Sequence, residues 1–577
     1  MAAITTAAAG NWSATGTWTG GVVPGNGDTV TLNHAVTCDD NRTVGVSPAA
    51  GAGTAAIAAN SNLTVAGTAT LTCRGDITLN NVQLILSAGA VFEFDASQAG
   101  TPSTARYVCQ IGTAGGQSSK LQVNGTVGSR CTIRSVNTNG GANGRFTGDF
   151  LRAGMADVTY CDFLRIGDAS NNAFFVFWNN DTNTFSLVQC ILDACGKFGA
   201  DTDIGGAFTL RLDHVTTRNS VGPYSFWANT VAAKSGGLRS ITHCVFDIVA
   251  LLGLKNLTIF DVEFLDRFEE TTASTHDDWH GNLVSTTSQV EGDLADSVTN
   301  DYWLKVGNIN NPHFLQPLDA SMTIDGVIFE LTGGTATNGD CILMPTPGAA
   351  RVYTARRCIV LPNDAGGQSG NFITALGNAN VTFSAQHNTY CCSVDTSDGI
   401  VVGETFNAQA GMCSLLKDNI AWHATAGGFK ITNTNGGPNN DVVTAANADF
   451  NSGWNLQAGS KGKGYNTPMT GTPGANDIDG DPQFMDRTRN IKTWDASLGG
   501  PGTAAHALAE LGKINDAAGY NPAYTIAALW TYVRDGFRPQ RAALHNSASD
   551  GTDIGAVPVL NTTIYVPIMQ QMRRAMI

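Results

Sequence analysis

Charge is scarce in this chain: Asp, Glu, Lys and Arg make up 14% of its 577 residues. Long solvent-exposed helices need more Glu, Lys and Leu than this, and a disordered chain would lack the regularly spaced Val, Ile, Leu and Phe present here. Basic charge is scarcer still, with 33 Lys and Arg against 48 Asp and Glu and a formal net charge of −15. Such a surface repels a polyanion, so nucleic-acid binding is not expected. No run approaches the roughly 20 apolar residues of a membrane-spanning helix, which argues against membrane insertion. The opening "MAAITTAAAGNWS" has neither the basic n-region nor the apolar core of a secretory signal. The expectation is synthesis in the cytoplasm without a signal peptide. Nucleophile elbows, phosphate-binding loops and dinucleotide fingerprints are missing too. The "GAGTA" near residue 51 sits in an Ala/Gly-rich spacer without strand-then-helix context, and no cofactor is expected.

Cysteine is present but lacks the patterns that would give it chemistry. Thirteen cysteines, an odd number, run from Cys38 to Cys413 without CxxC pairs or Cys/His ligand spacing, so neither a disulfide framework nor a zinc site is expected. Glycine, by contrast, is abundant at 66 residues, and with the many Ala, Thr, Asn and Ser it indicates a β-rich protein.

The cysteines recur inside strand-like phrases: "VTYCDF" (158–163), "LVQCIL" (187–192), "ITHCVF" (241–246), "IFDVEF" (259–264), "IDGVIF" (324–329), "ARRCIV" (355–360) and "AQHNTY" (385–390). The fourth and sixth letters are small or apolar and the fifth usually differs in kind, which is the period of a strand with one buried face. The fourth letters are Cys161, Cys190, Cys244, Val262, Val327, Cys358 and Asn388. Cys161 and Cys190 lie 29 residues apart and Cys358 and Asn388 lie 30 apart, while "LDHVTT" (212–217) falls between Cys190 and Cys244. One strand-like phrase per 20 to 30 residues is the mark of a β-solenoid, in which equivalent side chains form internal columns. Cysteine is a small, frequently buried residue, so Cys161, Cys190, Cys244 and Cys358 are read as one structural stack rather than as redox or metal groups. Asn388 is expected at a corner or in a polar ladder.

Three segments follow from this reading. Residues 1–56 hold an N-terminal cap and the first strands, with two tryptophans, a Gly-Gly and a Pro-Gly turn in "NWSATGTWTGGVVPGNGDTVTL" (11–32). Residues 57–480 form the coil, interrupted near 269–320 by an inserted region expected to protrude and carrying Trp279, His280, Tyr302, Trp303 and His313. These residues read either as binding residues or as an aromatic lid over the coil. Residues 481–577 turn helical, with apolar stripes through Leu508, Leu511, Ile526, Leu529 and Val533, and read as a closing unit. The final "IYVPIMQQMRRAMI" reads as a docking peptide or a packed tail.

The stretches "GDPQFMDRTRNIKTWDASLGGPGTA" (480–504), "YVRDGFRPQ" (532–540) and "DGTDIGAVPV" (550–559) resemble the C-terminal closing segment of right-handed parallel β-helix virion proteins of tailed bacteriophages. The cap at 11–32 is similar to the opening segment of such proteins. Together these stretches cover about 100 of the 577 residues. The resemblance implies an all-β fold, a right-handed parallel β-helix with an N-terminal β cap and a small helical C-terminal closure. It further implies a structural protein on the virion surface, either a tailspike or fibre or a head decoration. Its partners would be copies of itself in a homotrimer, other virion proteins and bacterial surface polysaccharide.

Phage β-helices often cleave glycans with paired carboxylates. In "FDVEF" the buried phase falls on Val262 and Phe264, which places Asp261 and Glu263 on the outer face. Their Cα atoms would then lie about 6.5 to 7 Å apart, a spacing that suits the acid and base of an inverting glycosidase. Solvated surface acids are the plainer reading of the pair. "THDDWH" gathers His276, Asp277, Asp278 and His280 as candidate divalent-cation ligands, against a flexible polar loop. Three functions stay open at this point: a virion structural protein without chemistry, a polysaccharide depolymerase on the same coil, and a bacterial surface adhesin.

Overall fold

The computed structural model describes residues 2–557, apart from short intervening stretches and the longer ones at 46–61, 96–106, 362–371, 403–412, 432–447 and 455–475. The chain is mostly strand, with few helices. It divides into two compact units, one of residues 1–296 with 508–526 and one of residues 297–507 with 527–577. Among the described residues no helix is long and apolar enough to cross a membrane.

In the first unit, alternation of apolar and polar residues becomes alternation of burial. Asn62–Val65, Thr70–Cys73 and Gln83–Ser87 each bury every second side chain. Their pairing is parallel and carries each strand onto the one a repeat later. Leu86 registers with Val123, Val123 with Val158, Val158 with Leu187, Leu187 with Leu212, Leu212 with Ile241 and Ile241 with Ile259. All of these are essentially inaccessible, so each layer presents the next with a matched apolar row. Burying one such side chain is worth about 1.5 to 3 kcal/mol. At the start of this unit Trp12 and Trp18 meet edge to face at 5.0 Å, and the Trp18 indole N–H donates to Trp12 O at 2.8 Å.

The second unit repeats the scheme. Ile324 registers with Ala355, Ala355 with Ala385 and Ala385 with Leu416, again parallel. A helix at Ile491–Ser497 opens with an Asn490 capping box, and the helices Ala504–Leu511 and Ile526–Gly536 flank the 508–526 segment assigned to the first unit. Glu330, buried on its strand, accepts both the Tyr302 hydroxyl and the Ile491 backbone N–H. The Trp530 indole N–H donates to Gly326 O at 2.7 Å. Further along, Leu544, Ala548 and Ile554 pack on Ile420 with Phe450 and Ile478 at the edge of the cluster.

From Tyr160 onward one corner recurs from layer to layer among the described residues. Tyr160, Gln189, His214, His243 and Asp261 in the first unit, and Asn300, Arg357, His387, Asp418 and Phe450 in the second, all have φ between 49° and 62°. Gly281 and Gly326 hold the same place. These are the third letters of the repeated phrases. The left-handed conformation disfavours most side chains, least so Gly, Asn, Asp and His, which accounts for the run of such residues there. Backbone bonding continues through the bend: His243 N donates to Phe260 O, Gly326 N to Arg356 O and His387 N to Lys417 O.

The described parts of the expected insertion near 269–320 are strands of the coil pattern rather than a protrusion. Its phrase "WHGNLV" (279–284) spans the strands His276–His280 and Leu283–Ser285 around the Gly281 corner, and "VTNDYW" (298–303) spans Ser297–Thr299 and Tyr302–Val306 around Asn300. Trp279, Tyr302 and Trp303 are therefore core residues with at most 1% of their surface exposed. The wide gap between Val262 and Val327 holds two further layers, whose fourth letters are Asn282 and Asp301 rather than Cys or Val.

Candidate functional site

The fourth-letter column is structural, and its chemistry is more specific than space filling. Where the next layer carries Cys or Asn in the fourth letter, the backbone N–H just past the corner takes its acceptor from that side chain. Val215 N donates to Cys244 Sγ at 3.4 Å, Val262 N to Asn282 Oδ1 at 3.0 Å and Cys358 N to Asn388 Oδ1 at 3.0 Å. The thiols in turn donate to the carbonyl two residues back: Cys190 to Val188 O, Cys244 to Thr242 O and Cys358 to Arg356 O. In the second unit asparagine does both jobs. Asn388 Nδ2 donates to Asn419 Oδ1 and Asn419 Nδ2 to Asn451 Oδ1, both at 3.0 Å, and Asn451 N reaches Asp477 Oδ1.

Cys161 follows Cys131 in register, and Cys190 precedes Val215. Cys358 holds the same phase in the second unit. All four thiols are buried and free, and burial pushes Cys190 and Cys358 up to about 12. Such thiols are poor nucleophiles and poor metal ligands.

The Asp261 and Glu263 pairing needs correction. Glu263 is 2% exposed, so it does not stand on an open outer face. The turn Gly512–Asn515 packs against Thr184–Asp193 and Thr209–Arg218, and a Cβ on Gly512 would lie 3.8 Å from Val245, the register neighbour of Glu263. Burial drives the Glu263 carboxyl well above its usual range, and the nearby Asp261 charge adds to the shift. A sealed acid has no path to substrate. Asp261 sits instead on the corner, with about a quarter of its side chain exposed.

His276, Asp277 and Asp278 lie in the strand His276–His280, not in a flexible loop, and their side chains fall outside the described residues, as does His313. The His280 ring stacks on Phe260 at 4.4 Å. Tyr302 and Trp303 spend their polar atoms internally, the Trp303 indole N–H on Asp301 Oδ2 at 3.2 Å.

A different cluster occupies the corner column of the first unit. His214 and His243 hold the same αL position in adjacent layers, so their rings stack at 4.6 Å with 22° between planes. Both Nδ1 atoms face one carboxylate oxygen, Asp213 Oδ1, at 2.7 Å from His214 and 3.3 Å from His243. Thr242 Oγ1 donates to the same oxygen at 3.4 Å, while Arg211 holds Asp213 Oδ2 at 3.0 Å. On the far side of its ring His243 Nε2 lies 3.9 Å from Asp261 Oδ2. Burial by itself would raise the Asp213 carboxyl, but hydrogen bonds from His214, His243 and Arg211 together hold it well below the usual range. His243 is raised by its bond to Asp213, against burial and with help from Asp261, and Asp261 is raised by burial. Sequence reading passed over this cluster. The signal lay in "LDHVTT" and "ITHCVF", where histidine fills the third letter of two successive phrases.

No family model, curated protein or solved structure matches the chain.

Proposed function

We propose that the chain winds as a right-handed parallel β-helix and serves as a structural, glycan-contacting protein on the surface of a tailed-phage virion. The observation that carries the reading is the parallel register kept from layer to layer within each unit, with columns of like residues at fixed phases. Within each unit that arrangement suits a structural element built to survive outside a cell, where a fixed flank repeats the same contacts at every layer. Reduced, buried thiols agree with assembly in a host cytoplasm and release by lysis. Burial of Glu263 removes the one carboxylate pair that the sequence offered for glycan cleavage. The resemblance of 480–504, 532–540 and 550–559 to phage closing segments supports the assignment, and it favours a homotrimer.

Immunogold labelling of intact particles tests the virion role: label on head or tail is expected, and particles free of label would sink it. Purified protein should bind host capsule or lipopolysaccharide without releasing reducing ends or unsaturated sugars. Release of either would replace the structural reading with a depolymerase. Light scattering should return three times the chain mass, whereas a monodisperse monomer refutes the trimer.

A further inference from the structure

We propose that Asp213, His214 and His243 form a site for a divalent transition metal of the zinc class. One ligand atom from each lies within 4.8 Å of the other two. Two imidazole nitrogens and a carboxylate oxygen are a donor set that Zn²⁺ accepts, and three protein ligands leave a fourth position for water or a ligand oxygen.

Three features distinguish this group from a chance meeting of polar side chains. First, the two imidazoles are fixed by the fold: the corner repeats its backbone, so histidines in adjacent layers present Nδ1 in the same direction, toward the same oxygen. Second, one outer partner of a metal centre is in place and another stands close by. Ligating histidines usually direct their other ring nitrogen at a carboxylate, and ligating carboxylates are themselves held. His243 Nε2 faces Asp261 Oδ2 at 3.9 Å, and Arg211 holds the second oxygen of Asp213. Third, the site is open: the three side chains are between 20% and 29–31% exposed, enough for an ion to enter.

Two bonds of about 2.05 Å at a tetrahedral angle bring ligand atoms to about 3.4 Å of each other. The rings are a layer apart, so binding requires them to tilt toward each other, and their partial exposure permits it. Within the metal site Asp213 Oδ1 exchanges two imidazole N–H donors for the ion, and each imidazole presents the Nδ1 lone pair.

The test uses the full chain, stripped with chelator and titrated with ZnCl₂ by calorimetry at pH 7.5. One ion per chain is expected from this site. Co²⁺ should give the intense visible bands of a four-coordinate site without a thiolate charge-transfer band. His214→Asn and His243→Asn keep a residue that tolerates the αL corner, and each should abolish that binding event. Asp213→Asn should do the same, and Asp261→Asn should weaken it by about tenfold. Far-ultraviolet circular dichroism verifies that each variant retains its strands, and since any one of the three ligand variants suffices, a single misfolded protein does not decide the outcome. Absence of zinc binding, or binding that persists unchanged in the folded variants, overturns the proposal. These results are independent of the virion assignment, which labelling of particles tests separately.

Discussion

Replacing Asn419 with alanine is the sharpest test of how the layers are held together. Its Oδ1 accepts from Asn388 N and Asn388 Nδ2, and its Nδ2 donates to Asn451 Oδ1, Ala385 O and Lys417 O. The residue is 2% exposed, so bulk water does not reach these groups. Truncation leaves the Asn388 N–H without that acceptor, at about 1–3 kcal/mol, and removes the donor from three oxygens at about 1 kcal/mol or less each. The sum is about 4 kcal/mol, for the loss of one small side chain. A chain of this size does not unfold in two states, so the readout is local: hydrogen exchange by mass spectrometry over 381–391, 413–422 and 448–454. At about 1.4 kcal/mol per decade the variant's protected amides should exchange close to a thousandfold faster. Cys358→Ala, in the same column, removes one sulfur and its weak bonds, about 1 kcal/mol, and serves as the reference. If Asn419→Ala accelerates exchange no more than Cys358→Ala does, the polar ladder carries no more stability than apolar filler and the reasoning fails.

Cys358→Asn should be tolerated, because asparagine has a similar volume and would extend the Asn388–Asn419–Asn451 ladder by one layer; a drop in protection over 351–360 would show that the sulfur site cannot accept an amide. Iodoacetamide at pH 8 should leave Cys161, Cys190 and Cys358 unlabelled in the native protein and label them after denaturation, since burial raises these thiols; native labelling mapped by mass spectrometry would contradict this. Glu263 has a folded-state value raised by burial, so its contribution to stability is complete below the unfolded value of about 4.3 and is lost as pH rises toward the folded one. Glu263→Gln should therefore resist urea better than the parent at pH 8 and equally at pH 4, and a variant weaker at pH 8 would reverse the sign. Asp418, fully buried, accepts Ser549 N at 2.7 Å and Ser549 Oγ at 2.6 Å. Asp418→Ala should free the segment around 549 at a cost of about 3–5 kcal/mol, seen as new proteolytic cuts within 545–557.

The strand period and the inward phase were legible because hydrophobic alternation is a local signal. Leu86, Val123, Val158 and Leu187 can be picked out without knowing what they pair with. The layers around Asn282 and Asp301 were not legible, since their aromatic and polar residues masked the strand alternation and the spacing from Val262 to Val327 hid two repeats. Their tryptophans and tyrosine looked like a binding loop for the same reason: aromatic residues in a stretch without the expected spacer suggest exposure, yet Trp279 sits in register with Ile259. Glu263 was misplaced because period-two logic says which face a residue takes but not whether that face is open to solvent.

The corner explains why the decisive residues were hard to see. A strand pattern marks the residues between bends and is silent on the bend itself, where selection is for tolerance of positive φ and admits His, Asp, Asn, Gln and Gly alike. That tolerance has two consequences for the molecule. Inside the bend, Cys or Asn in the next layer gives a backbone N–H its acceptor, as at Val215, Val262 and Cys358, so these two residue types can share one column with Val. Outside the bend, the permissive position lets titratable side chains accumulate in adjacent layers at a spacing fixed by the backbone, as His214 and His243 do above Asp213. A fold that repeats its bend thus brings ligand-bearing side chains together without any local motif, and the place to look for chemistry in such a chain is the letter before the buried one.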